Sequence, residues 1–209
     1  MVQRIGRPEI TILDPSLNRV RMSRADFDAA SAVEGYSYEL VEGVLHVAPA
    51  PGPNEKEITV ALFEVLSAYQ RSAGRFARVL WEPRVMIATD EHETTNPQPD
   101  LAAYETYERH AGNDFDDVSP ALVIEVVSED GYAKDYVRNV ELYARVPTIR
   151  EYWIVDPRKS PQKPAMAVFR RDEGDSDFKR HDIIAGGRYQ CETWPGLNID
   201  LAGIGVTFR

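Results

Sequence analysis

The feature that most constrains this chain is the run Ala121-Leu-Val-Ile-Glu-Val-Val127, apolar at every position but one. A continuous apolar run of that length fits a strand buried on both faces, at the centre of a sheet covered by helices, better than the alternating strand of a half-exposed sheet. The flanking sequence supplies the layers such a strand needs. Ile58, Leu62, Val65, Leu66 and Tyr69 recur at helical spacing before it, a helix is expected from about Ala133 to Arg145 after it, and Glu151 to Val155 reads as a second strand. The one exception in the run, Glu125, sits where an unpaired carboxylate would cost several kcal/mol or take up a proton. Something must compensate it: a metal ion, a Lys or Arg, or exposure at the strand end.

The rest of the chain fills in around that centre. Ser23 reads as the N-cap of a short amphipathic helix from Arg24 to Ala32 that ends near Gly35. Tyr36–Leu40 and Val44–Ala48 flank the turn-like Val41-Glu-Gly43 and suggest a hairpin. Pro49 to Asn54 is a break; Arg78 to Ala88 reads as extended, and Pro99 to Tyr104 as a shorter strand. From Ala165 onward, short extended runs between Gly and charged turns suggest a peripheral β meander. The order α-β-β-α-β-β-β-α-β-β describes one α/β or α+β domain over residues 1–209, with a core at about 20–160 and a C-terminal β extension at about 161–209.

At 209 residues the chain can bury a core without a staple. Its single cysteine, Cys191, reads as a small core residue and rules out an intramolecular disulfide or a zinc ribbon. No apolar run approaches the ~18 residues of a bilayer span, and the N-terminus lacks the apolar stretch of a signal peptide, so the expectation is a cytoplasmic protein with no membrane partner. The net charge of −10 argues against a general nucleic-acid coat. That charge is segregated, however. From Glu82 to Asp117 there are ten acids against two bases, whereas from Arg158 to Arg180 there are seven bases against four acids, so one domain has room for both an acidic site and a basic contact face.

Asp100 is the natural companion of Glu125. It opens a strand behind Gln98-Pro99, where it can face a neighbouring strand's glutamate. Two carboxylates on adjacent strands, with a backbone carbonyl two residues beyond the glutamate, offer the hard oxygen ligands that suit Mg²⁺ or Mn²⁺. Equally, an Asp after Pro is often a strand-start cap, and two acids at this separation occur by chance.

Five segments give the pair a context: Tyr38-Glu-Leu-Val-Glu-Gly43, Gln98-Pro-Asp-Leu101, Pro120-Ala-Leu-Val-Ile-Glu-Val-Val-Ser128, Lys134-Asp135 continuing to Tyr143, and Glu151-Tyr-Trp-Ile-Val-Asp-Pro157. In these the sequence resembles the Uma2 family of restriction-endonuclease-like proteins, within the PD-(D/E)XK nuclease superfamily, over roughly residues 20 to 160. The resemblance implies a restriction-endonuclease-like core, a central mixed β-sheet flanked by helices. It also implies Mg²⁺-dependent (or Mn²⁺-dependent) hydrolysis of DNA phosphodiesters. It makes Asp100 the motif aspartate, Glu125 the motif glutamate, Val127 the residue whose carbonyl completes the metal site, and Glu39 an additional acid.

The chain departs from that pattern at one position. The superfamily lysine two residues after the glutamate is Val127 here, and the helix position to which this family moves its lysine is Asn139. An amide can neither stabilise a hydroxide by charge nor exchange a proton. Lys134 and Arg138 are the nearby substitutes. On a regular helix, where each residue turns by about 100°, Arg138 points to another face and Lys134 lies more than one turn away. Lys134 is retained as a candidate catalytic residue. At Glu55, where many family members carry a histidine, the acid reads either as a further ligand or as a first-turn acid favoured by the helix dipole.

Other tempting residues have simpler readings. His46, His92, His110 and His181 lack metal-ligand spacing, and Ser128 lacks a nucleophile-elbow context. Tyr152 and Trp153 read as core packing, Asp156-Pro157 as a strand-ending turn, and Asp114 to Asp117 as a solvated loop. Three functions follow: a metal-dependent endonuclease acting on DNA, as a homodimer if both strands are cut; a catalytically degenerate nuclease-fold binding or regulatory module, motivated by Asn139; and a hydrolase of a small phosphorylated substrate.

Overall fold

In the computed structural model, which describes residues 11–88, 90, 92–108, 118–129, 131–172 and 174–207, the run around Glu125 is a central strand. The expectations placed on His110 and on the acidic run Asp114 to Asp117 lie outside the described residues. Two compact units form: the chain up to Ala50 together with Ala88–Asn96, and Pro51–Ile87 together with the chain from Pro97.

In the first unit, β1 (Ile12–Leu13) pairs in parallel with β2 (Ser31–Ala32), and α1 (Arg24–Ala29) lies between them in sequence. The Ser23 hydroxyl accepts from the Asp26 N–H, which is the expected N-cap, but the helix stops at Ala29 and the next residues pair as a strand. The expected hairpin is β3 (Tyr36–Val41) with β4 (Val44–Pro49). Its two-residue turn carries positive φ at both Glu42 and Gly43, the arrangement whose twist matches that of the paired strands. Gly43 is required there for a second reason: a Cβ would meet the His92 carbonyl oxygen at 1.9 Å. Leu13, Phe27, Tyr38, Leu40 and Leu45 form this unit's core.

The second unit is built on α2 (Pro53–Ala73) and a six-stranded sheet of β5 (Arg78–Trp81), β6 (Leu101–Tyr104), β7 (Leu122–Val126), β8 (Glu151–Asp156), β9 (Ala165–Arg170) and β10 (Lys179–Ile183). The sheet order is β10-β9-β8-β7-β6-β5, with β7 and β8 parallel and every other pair antiparallel. This is the mixed central sheet that the family resemblance implied, and β9 and β10 join it directly. The extended stretch from Arg78 ends as a strand at Trp81, because Glu82 takes a positive φ and Pro83 has no N–H to donate. Between β7 and β8 the chain forms a π-helical turn, Lys134–Arg138, and α3 (Asn139–Ala144). The hairpin of β11 (Arg188–Gln190) and β12 (Asn198–Asp200) closes the unit.

Strand periodicity sends alternate residues to opposite faces of the sheet. Leu101, Ile124, Trp153 and Val168 pack with Ile58, Leu62 and Leu66 of α2 and with Tyr189 and Ile199 of the C-terminal hairpin. Val123, Tyr152, Ile154 and Phe169 face the other way, packing with Tyr143 of α3. Both faces of β7 are therefore covered, as its apolar pattern, broken only at Glu125, required. Trp153 and Tyr152 are fully buried, and Cys191 is buried in the first of these cores. Among the described residues no helix is long and apolar enough to cross a membrane.

Candidate active site

Glu125 shares the α3 face of the sheet with Val123, and it is buried. The β6–β7 ladder runs Leu101↔Ile124 and Ala102↔Val123, so one step beyond its last pair Asp100 stands across from Glu125. Residues directly opposite in an antiparallel pair project to the same face. Asp100 is anchored there by accepting the Val126 N–H on Oδ2 at 2.6 Å, and its own carbonyl accepts the Glu82 N–H at 3.0 Å. The two carboxylates named from sequence are thus on adjacent strands of one sheet, on one face.

The compensation for Glu125 comes from the following helix. Its Oε1 accepts from Asn139 Nδ2 at 2.8 Å and from the Tyr143 hydroxyl at 3.2 Å. Its Oε2 lies 3.8 Å from Lys134 Nζ, an ion pair between a buried acid and a side chain 31% exposed. Asn139 and Tyr143 are one α-helical turn apart and naturally share a face. Lys134, five residues before Asn139, reaches that face because the chain there is π-helical: the Asn139 N–H bonds to the Lys134 carbonyl, an i to i+5 closure that brings residue 139 back over residue 134. On a regular helix the same spacing would leave Lys134 about 140° away. The expectation that it lies off the site assumed that regularity.

Arg138 holds the Asn139 amide from its other side. Its Nε donates to Asn139 Oδ1 at 3.0 Å, which fixes the amide with its NH₂ toward the carboxylate. Tyr152, next to them in the core, donates to the Asp135 carbonyl at 3.0 Å. Burial first, then the negative charges of Glu125, Asp135 and Asp100, push the Tyr152 hydroxyl well above its usual range, with Arg138 opposing them. The tyrosine therefore stays protonated and neutral beneath the acids. Asp135 is buried as well, and Gly131 packs so closely that a Cβ would come within 3.0 Å of its Oδ2.

Glu39 belongs to the first unit, where it is buried on β3 opposite His46. Val127 is buried just past β7 and donates its N–H to the Val155 carbonyl. Glu55 lies in the first turn of α2 with its carboxylate folded over Gly52, where a Cβ would meet Oε2 at 2.7 Å. His181 is exposed on β10, and His92 donates its N–H to Asp90 in a turn. The sequence named Arg138 only as a substitute for the lysine and Tyr143 only as the end of a matching segment, and tied neither to Asn139 or Glu125, although the i, i+4 spacing of Asn139 and Tyr143 carried a signal for the tyrosine.

The basic segment is locally paired. Arg158 forms a bidentate pair with Asp156, Arg170 meets Asp172 and Glu192, Lys179 meets Asp172 and Asp175, and Arg180 meets Asp182. Arg171 donates to the carbonyls of Ala144 and Val146, capping the end of α3. An open hollow of about 640 Å³ beside that end, lined by Ala144, Pro147, Arg150, Arg171, Asp172 and Asp175, does not include Asp100 or Glu125.

The family model Uma2, described as "Putative restriction endonuclease", matches residues 6–202. The chain belongs to the Uma2 family. Among solved structures, the chain resembles one described as a putative nuclease belonging to DUF820 from Anabaena variabilis, with a TM-score of 0.65 and 16% identity over 88% of this chain and 97% of that one. At that identity the likeness speaks for a shared fold. No protein with a curated description matches the sequence.

Proposed function

We propose that this Uma2 protein is a Mg²⁺- or Mn²⁺-dependent endonuclease that hydrolyses DNA phosphodiester bonds, with Asp100 and Glu125 holding the cation and Lys134 beside them. The observation that carries this reading is the approach of Lys134 to Glu125 across from Asp100. It returns a cationic amine to a site whose expected lysine position holds Asn139, and so favours hydrolysis over the degenerate binding module.

The donors fit the cation. Among the described residues no cluster of three or more acid, histidine or cysteine side chains is arranged for a metal, and Mg²⁺ commonly takes one or two carboxylates and keeps several waters. Strand geometry supports a choice of the third protein oxygen. A strand residue sends its N–H and C=O to the same neighbour. The Val126 N–H goes to Asp100, whereas the Val127 N–H goes to Val155 on β8. This supports the carbonyl of Val126, in place of that of Val127, as the one on the side of Asp100.

When bound, the cation polarises the phosphoryl oxygen and lowers the pKa of its water. Asp100 and Glu125 fix its place and balance its charge. Lys134, partly exposed, reaches a phosphate oxygen or the attacking water at the rim and offsets charge developing there. Glu39 enters as the family's additional acid, and a homodimer supplies two sites for the two strands of a duplex.

The test is cleavage of linear, supercoiled and single-stranded DNA with Mg²⁺ and with Mn²⁺. Activity lost in Asp100→Asn and Glu125→Ala, and reduced in Glu39→Gln, is expected. A wild-type chain that cuts nothing, or a Glu125→Ala variant as active as wild type, removes the reading. Cleavage gained only on Asn139→Lys establishes the degenerate module instead.

A further inference from the structure

An ionised carboxylate oxygen offers about two lone-pair positions. On Oε1 of Glu125 the two donors Asn139 Nδ2 and Tyr143 OH take both, at 2.8 and 3.2 Å, and the first is itself held by Arg138 at 3.0 Å. Oε2 lies 3.8 Å from Lys134 Nζ. We propose that Asn139 and Tyr143 are positioning residues that dedicate Oε2 of Glu125 to the cation and prevent the carboxylate from binding through both oxygens, so that they set the choice of metal. The inference rests on the metal-site reading above and adds a selectivity that reading does not contain.

The chemistry follows from ion size. Ca²⁺ accepts bidentate carboxylates in a flexible shell of six to eight oxygens, whereas Mg²⁺ demands a near-octahedral shell at short distances and takes carboxylates singly. A glutamate with one oxygen occupied by two fixed donors favours the smaller ion. Once either donor is removed, the carboxylate can rotate and close on a cation with both oxygens, a gain available to Ca²⁺ and not to Mg²⁺.

The test measures Mg²⁺, Mn²⁺ and Ca²⁺ dissociation constants by calorimetry on the full chain in the absence of DNA. The variants are Tyr143→Phe, which keeps the ring that packs edge-on against Tyr152 at 4.9 Å, and Asn139→Leu. The control is Tyr189→Phe, which removes the same hydroxyl from another buried glutamate, Glu151, on the opposite face of the sheet. The expected result is a preference for Mg²⁺ over Ca²⁺ in wild type that shifts toward Ca²⁺ by about tenfold in each site variant, the scale of one charge-assisted hydrogen bond, with no shift in the control. If Asn139→Leu does not fold, Tyr143→Phe decides alone. An unchanged Mg²⁺/Ca²⁺ ratio, or an equal shift in Tyr189→Phe, overturns the selectivity role and leaves the metal site standing. Absence of any divalent-cation binding by wild type overturns both.

Discussion

Replacing Glu125 separates what the carboxylate does for the fold from what it does for the site. Glu125→Ala strands two buried donors, the Asn139 amide and the Tyr143 hydroxyl, and deletes side-chain volume from a fully packed layer. Each unsatisfied donor costs about 1–3 kcal/mol, and loss of the buried charge returns part of that, so a net destabilisation of about 2–4 kcal/mol is expected. Lys134 adds little, since its partly exposed ammonium turns to water. Glu125→Gln behaves differently: its amide oxygen still accepts from both donors while the buried charge disappears, so stability stays within about 1 kcal/mol of wild type or rises. Both variants lose Mn²⁺ binding and cleavage. Urea unfolding followed by far-UV circular dichroism, with titration of Mn²⁺ by calorimetry, reads both effects. If Glu125→Gln is as unstable as Glu125→Ala, the ionic charge and not the acceptor oxygen holds the helix. If Glu125→Gln binds Mn²⁺ as wild type does, the carboxylate is not the cation's ligand.

Lys134→Ala is expected to leave the fold intact and Mn²⁺ affinity within about threefold, while lowering single-turnover DNA cleavage by about 10²–10⁴, the range for a positioned acid–base group; an unchanged cleavage rate rules Lys134 out of the reaction. Burial, and then the Glu151 carboxylate, push the Cys191 thiol up to about 12, so its iodoacetamide labelling at pH 8 is expected to be at least about a hundredfold slower in the native chain than in urea. Because this raised pKa keeps the folded thiol protonated, stability falls as pH rises from about 9, where the unfolded thiol ionises, toward 12, and a thermal melt whose loss over that window is the same in Cys191→Ala removes the thiol as a cause. Gly43→Ala places a Cβ against the His92 carbonyl at a positive-φ turn and is expected to cost about 2–4 kcal/mol, read by urea unfolding; a loss under about 0.5 kcal/mol means the turn yields freely.

The apolar run around Glu125 was enough to place a central, doubly covered strand, and Gln98-Pro99-Asp100 was enough to start its neighbour, because both patterns are local. The π-helical turn was not legible. Nothing in Lys134-Asp-Tyr-Val-Arg138 marks a widened turn, whose supports are distant: Tyr152 bonds the Asp135 carbonyl, and Asn139 reaches back to Glu125. Regular-helix arithmetic therefore removed Lys134 from the face to which long-range contacts restore it. The same limit governs buried acids. Glu151 opens β8 as deeply buried as Glu125, yet it faces the C-terminal hairpin, where Trp153 Nε1 at 2.6 Å, the Tyr189 hydroxyl at 3.0 Å and the Cys191 thiol at 3.4 Å surround it with neutral groups. Glu125 faces a second acid's strand and an ammonium. Sequence tells that each acid must be compensated, since burial is costly in either place. Only the residues across the sheet and on the covering helix decide whether the compensation is a set of neutral donors, which ends the chemistry, or a cation and a companion carboxylate, which begins it.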